Sequence, residues 1–436
     1  MDNGRMMRAP LLFAAALVAA AGGCSGEDPN ELLTTGSGGS TTTTAATGGA
    51  GGETNTGGGG EGGQGGDGGG ATTTTTASTT GTGGGSGDPT LDNRVLSYTE
   101  ALRSASFKLV GNAPTLQEMM DLESTPDAEK PAKYAALIDE MMTRPQFRVR
   151  MVEFWKNALR MGGAANGSIP SRDTAPVFAA RITVEGLPYT DLATKTSNTC
   201  PTFDPATGTF TDGECSNGIA PVGILTDPGV HALFYGNMAF RRSRFFHETF
   251  LCRMANEPVA EPTDMPGPNG PAGYVGPWDW FSITGGPTAA VDFHLAQGVV
   301  CANCHVTWNH RAPLWGNFDS NGMYQPNIVV LAPTLGLPVA KRSDWIPDTE
   351  PTAWKFGQPA ANLTELGARI AADPEVHDCA VARMWNYAMS RGDIVETQIK
   401  VSDKVVAPLV AELKANNFSL KNTLRSILLH DDFVRF

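Results

Sequence analysis

The segment 25–90 restricts the fold of this chain more than any other feature of its sequence. It consists largely of Gly and Thr, and residues 25–88 contain seven acidic side chains but no Lys, Arg or aromatic residue. Such a segment cannot bury enough apolar surface to offset its chain entropy. We therefore expect a disordered linker with a mean reach of roughly 40–50 Å, so that the folded body starts near residue 91.

Residues 1–24 have the pattern of an export signal. Arg5 and Arg8 precede the apolar run LLFAAALVAAAGG, which is short for a membrane span. The following AAGGCSG resembles the lipobox of bacterial lipoproteins, whose cysteine is lipidated and becomes the first mature residue. The resemblance implies a lipid anchor at Cys24, with the membrane as partner and an extracytoplasmic location in the bacterial cell envelope, on the outer membrane. The alternative is an ordinary cleaved signal.

The body, residues 91–436, has mainly helical periodicity, so we predict a mainly α, multi-helix domain. Ser97-x-x-Glu100 and Thr115-x-x-Glu118 are capping-box patterns. Asp373-Pro374 is typical of a helix start, with Gly392 as the expected end of that helix. Two apolar stripes at helical spacing predict core positions; they comprise Phe147, Met151, Phe154, Trp155 and Ala158, then Leu420, Leu424, Ile427 and Leu428 after Ser419.

Changes in composition divide the body into four regions. Residues 91–162 form a helical region, and 163–230, rich in Gly, Thr, Asp and Pro, predict a loop-rich insertion with short strands around ARITVEGL. Region 231–345 contains a cysteine motif, preceded by a helical pattern over 288–305, and 346–436 is a C-terminal helical region. The body contains no basic run, which argues against a nucleic-acid partner.

The motif Cys301-x-x-Cys304-His305 is the strongest chemical signal in the body. With 7 Cys and 7 His in 436 residues, about 0.002 chance matches are expected. Two thiols one helical turn apart can add to both vinyl groups on one porphyrin edge, and the adjacent imidazole then ligates the iron. The motif predicts one covalent haem c, attached to Cys301 and Cys304, with His305 as the proximal ligand.

Three other interpretations compete with haem. Structural zinc usually needs a second ligand pair, and the sequence has no second C-x-x-C or H-x₃-H. A thioredoxin-like redox pair requires a strand-helix context, and the sequence predicts no strand before this segment. A disulfide between the two motif cysteines would leave His305 unexplained.

Four cysteines remain, and an even number in an oxidising compartment suggests two disulfides. We expect Cys200 to pair with Cys215 within the insertion. Given that local pair, Cys252 and Cys379 would join the segment before the motif to a late helix. The alternative for the second pair is two buried free thiols.

The residues around the motif resemble a family. The segment CANCHVTWNHRAPLWGNFDSNGMYQ is similar to the haem segment of planctomycete- and myxobacterial-type cytochromes built from domains of unknown function 1588, 1592 and 1585. The match includes Asn317, Phe318, Asp319, Gly322 and Tyr324. RRSRFFHETFLCRMANEPVAEP is similar to the family's basic helix and proline run, and HDCAVARMWNYAMSRG to a closing helix. Residues 95–161 resemble the related domain 1549. The resemblance implies an exported haem protein without specifying a reaction.

The sixth ligand of the iron determines what such a haem does. Met323 lies 18 residues after His305, far enough for a loop to return, and is our candidate; Met265, His294 and Met389 are alternatives. The carboxylate of Asp319 reads as a turn residue that caps backbone donors before Gly322, rather than as a catalytic group. Trp308, Trp315, Phe318 and Tyr324 are expected to wall a haem pocket.

Three functions are compatible with these features. The first is a mono-haem electron carrier, or the haem module of a surface redox complex, with a redox partner protein that the sequence does not identify. The second is a surface binding or structural lipoprotein whose haem is vestigial or sensory. A peroxidase-like enzyme is the weakest, because no second C-x-x-C-H is present to supply electrons.

Overall fold

The computed structural model describes residues 93–254, 307–332, 336–346, 350–355 and 357–436, together with the backbone of four short strands between 266 and 291. These residues belong to one unit, Gly84–Phe436. The export signal with Cys24, the linker 25–90, and the motif residues Cys301, Cys304 and His305 lie outside the described residues.

Helices make up most of the described chain, in agreement with the predicted mainly α class. In chain order they are α1 (Tyr98–Leu109), α2 (Leu116–Ser124), α3 (Lys130–Met141), α4 (Pro145–Leu159), α5 (Thr174–Glu185), α6 (Asp191–Thr194), α7 (Pro228–Leu233), α8 (Phe240–Leu251), α9 (Leu363–Ala372), α10 (Pro374–Ala388), α11 (Ile394–Thr397), α12 (Asp403–Ala415), α13 (Leu420–Leu428) and α14 (Asp431–Val434). Short 3₁₀ turns occupy Asn237–Ala239, Ala312–Trp315 and Arg342–Asp344. No helix in this part of the chain is long and apolar enough to cross a membrane.

The strands form isolated antiparallel pairs rather than a sheet. They are β1 (Thr202–Asp204) with β2 (Thr209–Thr211), β3 (Pro266–Gly267) with β4 (Gly270–Gly273), β5 (Trp278–Asp279) with β6 (Ala290–Val291), and β7 (Ala353–Lys355) with β8 (Gln358–Pro359). The prediction of a helix over 288–305 is wrong at β6. There the backbone forms its hydrogen bonds with β5 rather than within a helix.

The predicted helix starts are largely confirmed. The Ser97 hydroxyl accepts a hydrogen bond from the Glu100 N–H, and Thr115 and Glu118 form both halves of a capping box. Asp373 caps α10 and Ser419 caps α13. Helix α10 ends at Ala388, four residues before the expected Gly392. Ser390 takes a left-handed conformation with φ +56°, and the Arg391 N–H turns back to the Asn386 carbonyl at 2.8 Å.

The stripe on α4 is part of the core, as predicted. Phe147, Met151, Trp155 and Ala158 are buried, while Phe154 is partly buried and packs against the core. The four predicted positions of α13 are buried as well.

The expectation of strands around ARITVEGL is wrong, because these residues belong to helix α5 and to its end. Nine of its residues are buried, and the indole N–H of Trp155 on α4 donates to the Thr183 hydroxyl at 2.9 Å. Ile182, Thr183 and Val184 favour strands by local preference, but burial against α4 outweighs that preference. The region 163–230 therefore contributes a core helix.

The two ends of the described body pair with each other. The Val95 N–H donates to the Phe436 carbonyl at 2.8 Å, and the Phe436 N–H donates back to the Val95 carbonyl at 3.0 Å. Arg94 and Asp432 form an ion pair beside this bridge, at 2.7 Å.

Candidate functional site

The described part of the candidate site begins directly after the motif. Residues 307–311 are helical, and the chain tightens into the 3₁₀ turn Ala312–Trp315. The buried Asn309 amide donates to the Trp345 carbonyl at 2.9 Å, and His310 pairs with Glu350 at 2.7 Å. This short segment is therefore held against the chain around residues 345–350.

Arg311 is fully buried within this segment. Its guanidinium lies 3.9 Å above the Trp354 ring, its Nε donates to the Trp354 carbonyl at 2.6 Å, and its Nη1 lies 3.1 Å from the Nδ1 of His247. Burial lowers the pKa of Arg311 to about 9, so the group stays charged at neutral pH. Its Nη2 has no hydrogen-bond partner among the residues that the structure describes.

His247, on α8, faces Arg311 as a neutral acceptor. Burial, followed by the positive charges of Arg311, Arg253 and Lys355, holds the pKa of His247 well below its ordinary value. An uncharged ring with Nδ1 toward Arg311 can accept the Nη1 hydrogen bond.

Arg242, on the first turn of α8, joins three parts of the chain. Its guanidinium donates five hydrogen bonds, all to backbone carbonyls: two to His231, and one each to Trp315, Phe318 and Asp319, at 2.7–3.2 Å. The side chain is fully buried, and burial lowers its pKa to about 9. The arginine therefore fixes the loop after the motif to α8 through its backbone.

An aromatic stack fills the space beside Arg242. The His231 ring lies parallel to Phe318 with centroids 3.7 Å apart, and Trp315 stacks on Phe246 at 4.6 Å. The Nε2 of His231 lies 2.8 Å from the Leu225 carbonyl, while its Nδ1 meets no hydrogen-bond partner within the described chain. Burial and the nearby Arg242 hold the pKa of His231 well below its ordinary value, so it is a neutral core ring.

Two of the four aromatics expected to wall a pocket are fully buried in this stack. Trp315 and Phe318 are at 0 % exposure, while Trp308 and Tyr324 are partly buried and pack against the core. Whether these rings face a haem stays a prediction, since the motif lies outside the described residues.

Asp319 is a turn residue, as the sequence predicts. Its Oδ1 accepts from the N–H groups of Asn321 and Met323 at 2.9 and 3.0 Å, and its Oδ2 accepts from Gln325 at 3.1 Å. Gly322 has φ +73°, and a Cβ there would collide with the Pro228 carbonyl. The turn thus requires glycine.

Met323, the candidate sixth ligand, lies in this turn with 37 % of its surface exposed. Its N–H is held by Asp319, and its carbonyl accepts the Asp319 N–H at 2.9 Å. Met389 is partly buried at the end of α10, and Met265 and His294 lie outside the described residues. The assignment of Met323 to the iron stays a prediction.

Both predicted cysteine pairs lie at disulfide distance. The Cα atoms of Cys200 and Cys215 are 5.1 Å apart, and those of Cys252 and Cys379 are 5.3 Å apart. The second pair joins the end of α8 to α10. Beside it, Arg383 on α10 donates to the α8 carbonyls of Thr249 and Glu248 at 2.8 and 3.3 Å, which ties these two helices at a second point.

One group of three metal-ligand side chains occurs within the described residues, namely Cys200, Cys215 and Asp227. Both of its sulfur atoms belong to a disulfide, so neither is available as a thiolate, and the group is not a metal site in this state.

Asp227 caps the start of α7, the helix that contains His231 of the aromatic stack. Its Oδ1 accepts the Val230 N–H at 2.9 Å. The carboxyl is fully buried without an ion pair among the described residues, and burial raises its pKa to about 6.

The Asp227→Asn variant is expected to lose a pH dependence that the parent protein shows. Because the folded-state pKa of about 6 exceeds the ordinary 3.8, the folded protein retains a proton that the unfolded chain releases. The stability from this group is complete below pH 4 and falls by about 3 kcal/mol as the pH rises through 6. Asn keeps an acceptor for the helix cap.

Urea unfolding at pH 4, 5, 6 and 7 measures this dependence. The exposed acid Glu129 provides the control, since Glu129→Gln should keep the parent's profile. Parallel profiles for the Asp227→Asn variant and its parent would contradict the assignment.

The two buried arginines of this site were not predicted from the sequence. Arg242 lies with His247 in the quoted segment RRSRFFHETFLCRM, and Arg311 follows the motif by six residues. Arginine is rarely buried, so composition alone marks both as surface residues. No local pattern in the sequence marks either residue as buried.

Comparison with known proteins gives no relative from which a function could be transferred. Neither protein-family models, nor curated proteins, nor solved structures give a match to this chain.

Proposed function

We propose that this chain is a lipid-anchored, extracytoplasmic protein of the bacterial cell envelope that holds one covalent haem c and transfers electrons, alone or as the haem module of a surface redox complex. The observation that carries the proposal is Cys301-x-x-Cys304-His305. In it, the two thiols would attach the porphyrin and His305 would ligate the iron. Bound haem c supplies one-electron redox chemistry.

Two further features support the proposal. Both disulfides suit an oxidising compartment outside the cytoplasm, where haem c is also attached. The chain after the motif provides buried aromatic rings and a buried cation, Arg311, whose Nη2 no described residue engages. Such a donor fits a group that carries carboxylates, as haem does.

The roles of the protein residues follow from these contacts. Arg242 and Asp319 hold the loop after the motif in one conformation. The stacked rings of Trp315 and Phe246 are buried and fill the space beside that loop with apolar surface. Met323 lies on the surface of this turn with 37 % of its surface exposed, and it remains our candidate for the sixth ligand.

The Cys301→Ser/Cys304→Ser variant is expected to lose all covalent haem. The measurement is peroxidase staining after denaturing electrophoresis of exported protein, made with haem-maturation machinery. Cys200→Ser/Cys215→Ser is the matched control, since it also replaces two cysteines but should still stain. A colourless, unstained parent protein would refute the proposal.

Absorption spectra of the oxidised and reduced protein then separate the functions. An electron carrier gives a low-spin spectrum with a reversible Soret shift and no ligand binding. A high-spin spectrum with peroxide turnover favours the peroxidase-like function instead. Replacement of Met323 by Ala should convert the low-spin spectrum only if Met323 is the sixth ligand.

A further inference from the structure

The Nη2 donor of Arg311 indicates a site for an anion. The side chain is fully buried, and its Nε and Nη1 are occupied by the Trp354 carbonyl and by His247. Nothing in the described part of the chain accepts from its Nη2. A buried cation with no directly paired acid destabilises the fold, and an unmade buried hydrogen bond adds to that cost.

Asp373 and Glu375 act on Arg311 only through their charge, which raises its pKa against the larger effect of burial, and both already pair with other cations. Asp373 accepts from Lys355 at 2.6 Å and from the Trp354 indole at 2.7 Å. Glu375 pairs with Arg253 at 3.1 Å and with Lys355 at 3.3 Å. Across the part of the chain that the structure describes, no acid forms an ion pair with Arg311.

The other neighbours of Arg311 also favour an anion. His247 is neutral and accepts from Nη1, so it adds no counter-charge. The Trp354 face covers the guanidinium on one side, so a ligand of Nη2 would meet the fork at its edge. A planar carboxylate is the partner that an arginine fork matches best.

We propose that Arg311 binds a carboxylate of the cofactor, namely one of the two haem propionates. The inference rests on the proposed function. Porphyrin carries its propionates on the edge opposite the former vinyl groups, and Arg311 follows His305 by six residues, with residues 307–311 in a helix. His247 is a positioning residue, because it holds Nη1 and so orients the fork.

The test compares Arg311→Met in two backgrounds, the haem-loaded chain and the haem-free Cys301→Ser/Cys304→Ser chain. In the haem-free chain the substitution removes a buried charge that no acid pairs with directly, and we expect the folding equilibrium constant to stay equal or to rise. In the haem-loaded chain it breaks an ion pair, and we expect that constant to fall at least tenfold. Equal effects in both backgrounds would overturn the proposal.

Acetate distinguishes the cofactor from a free carboxylate ligand. At equal ionic strength, acetate in place of chloride should raise the melting temperature of the haem-free chain and leave the haem-loaded chain unchanged, because the propionate already fills the site. An equal rise in both chains would show that the site takes a free carboxylate, and would refute the propionate assignment.

The midpoint potential gives a readout that needs no haem-free protein. Loss of a positive charge beside the haem stabilises the oxidised iron, so Arg311→Met should lower the potential, while Arg103→Met, at an exposed ion pair, should not. An unchanged potential in the Arg311→Met variant would count against the site. Absence of haem stain in the parent would instead mean that the proposed function fails.

Discussion

Replacement of Cys252 and Cys379 by Ser is expected to cost about 5 kcal/mol of unfolding free energy, the largest loss that we predict for any pair of side chains here. The pair closes a loop with a sequence separation of 127 residues. Without it, the unfolded chain gains the entropy of that whole loop. Urea denaturation under oxidising conditions measures the loss.

The Cys200→Ser/Cys215→Ser variant is the matched control for this prediction. Its loop has a sequence separation of only 15 residues, which corresponds to a loss of about 3 kcal/mol. The two variants remove the same atoms, so the difference reports loop length. Equal losses, or the reverse order, would contradict the account.

Arg242→Met is expected to destabilise the fold by about 4 kcal/mol. Met fills a similar volume but donates no hydrogen bond, so four carbonyls, three of them buried, lose a donor. Those of Trp315 and Asp319 keep a backbone donor, so the full cost of about 1–3 kcal/mol applies to each of the other two. Release of the desolvated cation offsets part of that sum. Denaturant unfolding measures the change.

Two variants give the scale for this result. Arg242→Lys keeps the charge but reaches fewer carbonyls, so its loss should be smaller than that of Arg242→Met. Arg103→Met, at the exposed pair with Glu100, should change stability by less than about 0.5 kcal/mol. If Arg242→Met changed the unfolding free energy no more than Arg103→Met does, the contacts of Arg242 with the carbonyls would not stabilise the fold.

Local sequence signals predicted those parts of the fold that depend on neighbours in the chain. The caps at Thr115, Asp373 and Ser419 are bonds over two or three residues, and the α4 stripe follows helical spacing. The Cys252–Cys379 pairing needed only the even cysteine count and a local first pair. In each case the physical constraint lies in the sequence pattern itself.

Features that depend on distant partners were not predictable in this way. Helix α5 contains Ile182, Thr183 and Val184, whose local preference is extended, and its packing on α4 decides the outcome. Arg242 is buried because carbonyls 73 to 77 residues away converge on it. No rule of residue spacing predicts contacts between an arginine and carbonyls so distant in sequence.

The candidate site likewise has parts that local sequence patterns predict and parts that depend on residues distant in sequence. The motif at 301–305 is a local pattern with a chemical meaning, and Asp319 acts within its own turn as expected. Arg311 and His247 lie 64 residues apart in sequence, and only the fold brings them together. The structure therefore adds to the site what the sequence did not predict, namely the buried arginines and their partners.

Helix α8 is held at both ends, by Arg242 in its first turn and by Cys252 and Arg383 at its last. Spontaneous opening of the molecule must therefore release α8, α10 and the loop 315–319 as one cooperative unit. Amide protons of α8 would then exchange with solvent only through that costly event, so this helix would be among the slowest-exchanging parts of the protein.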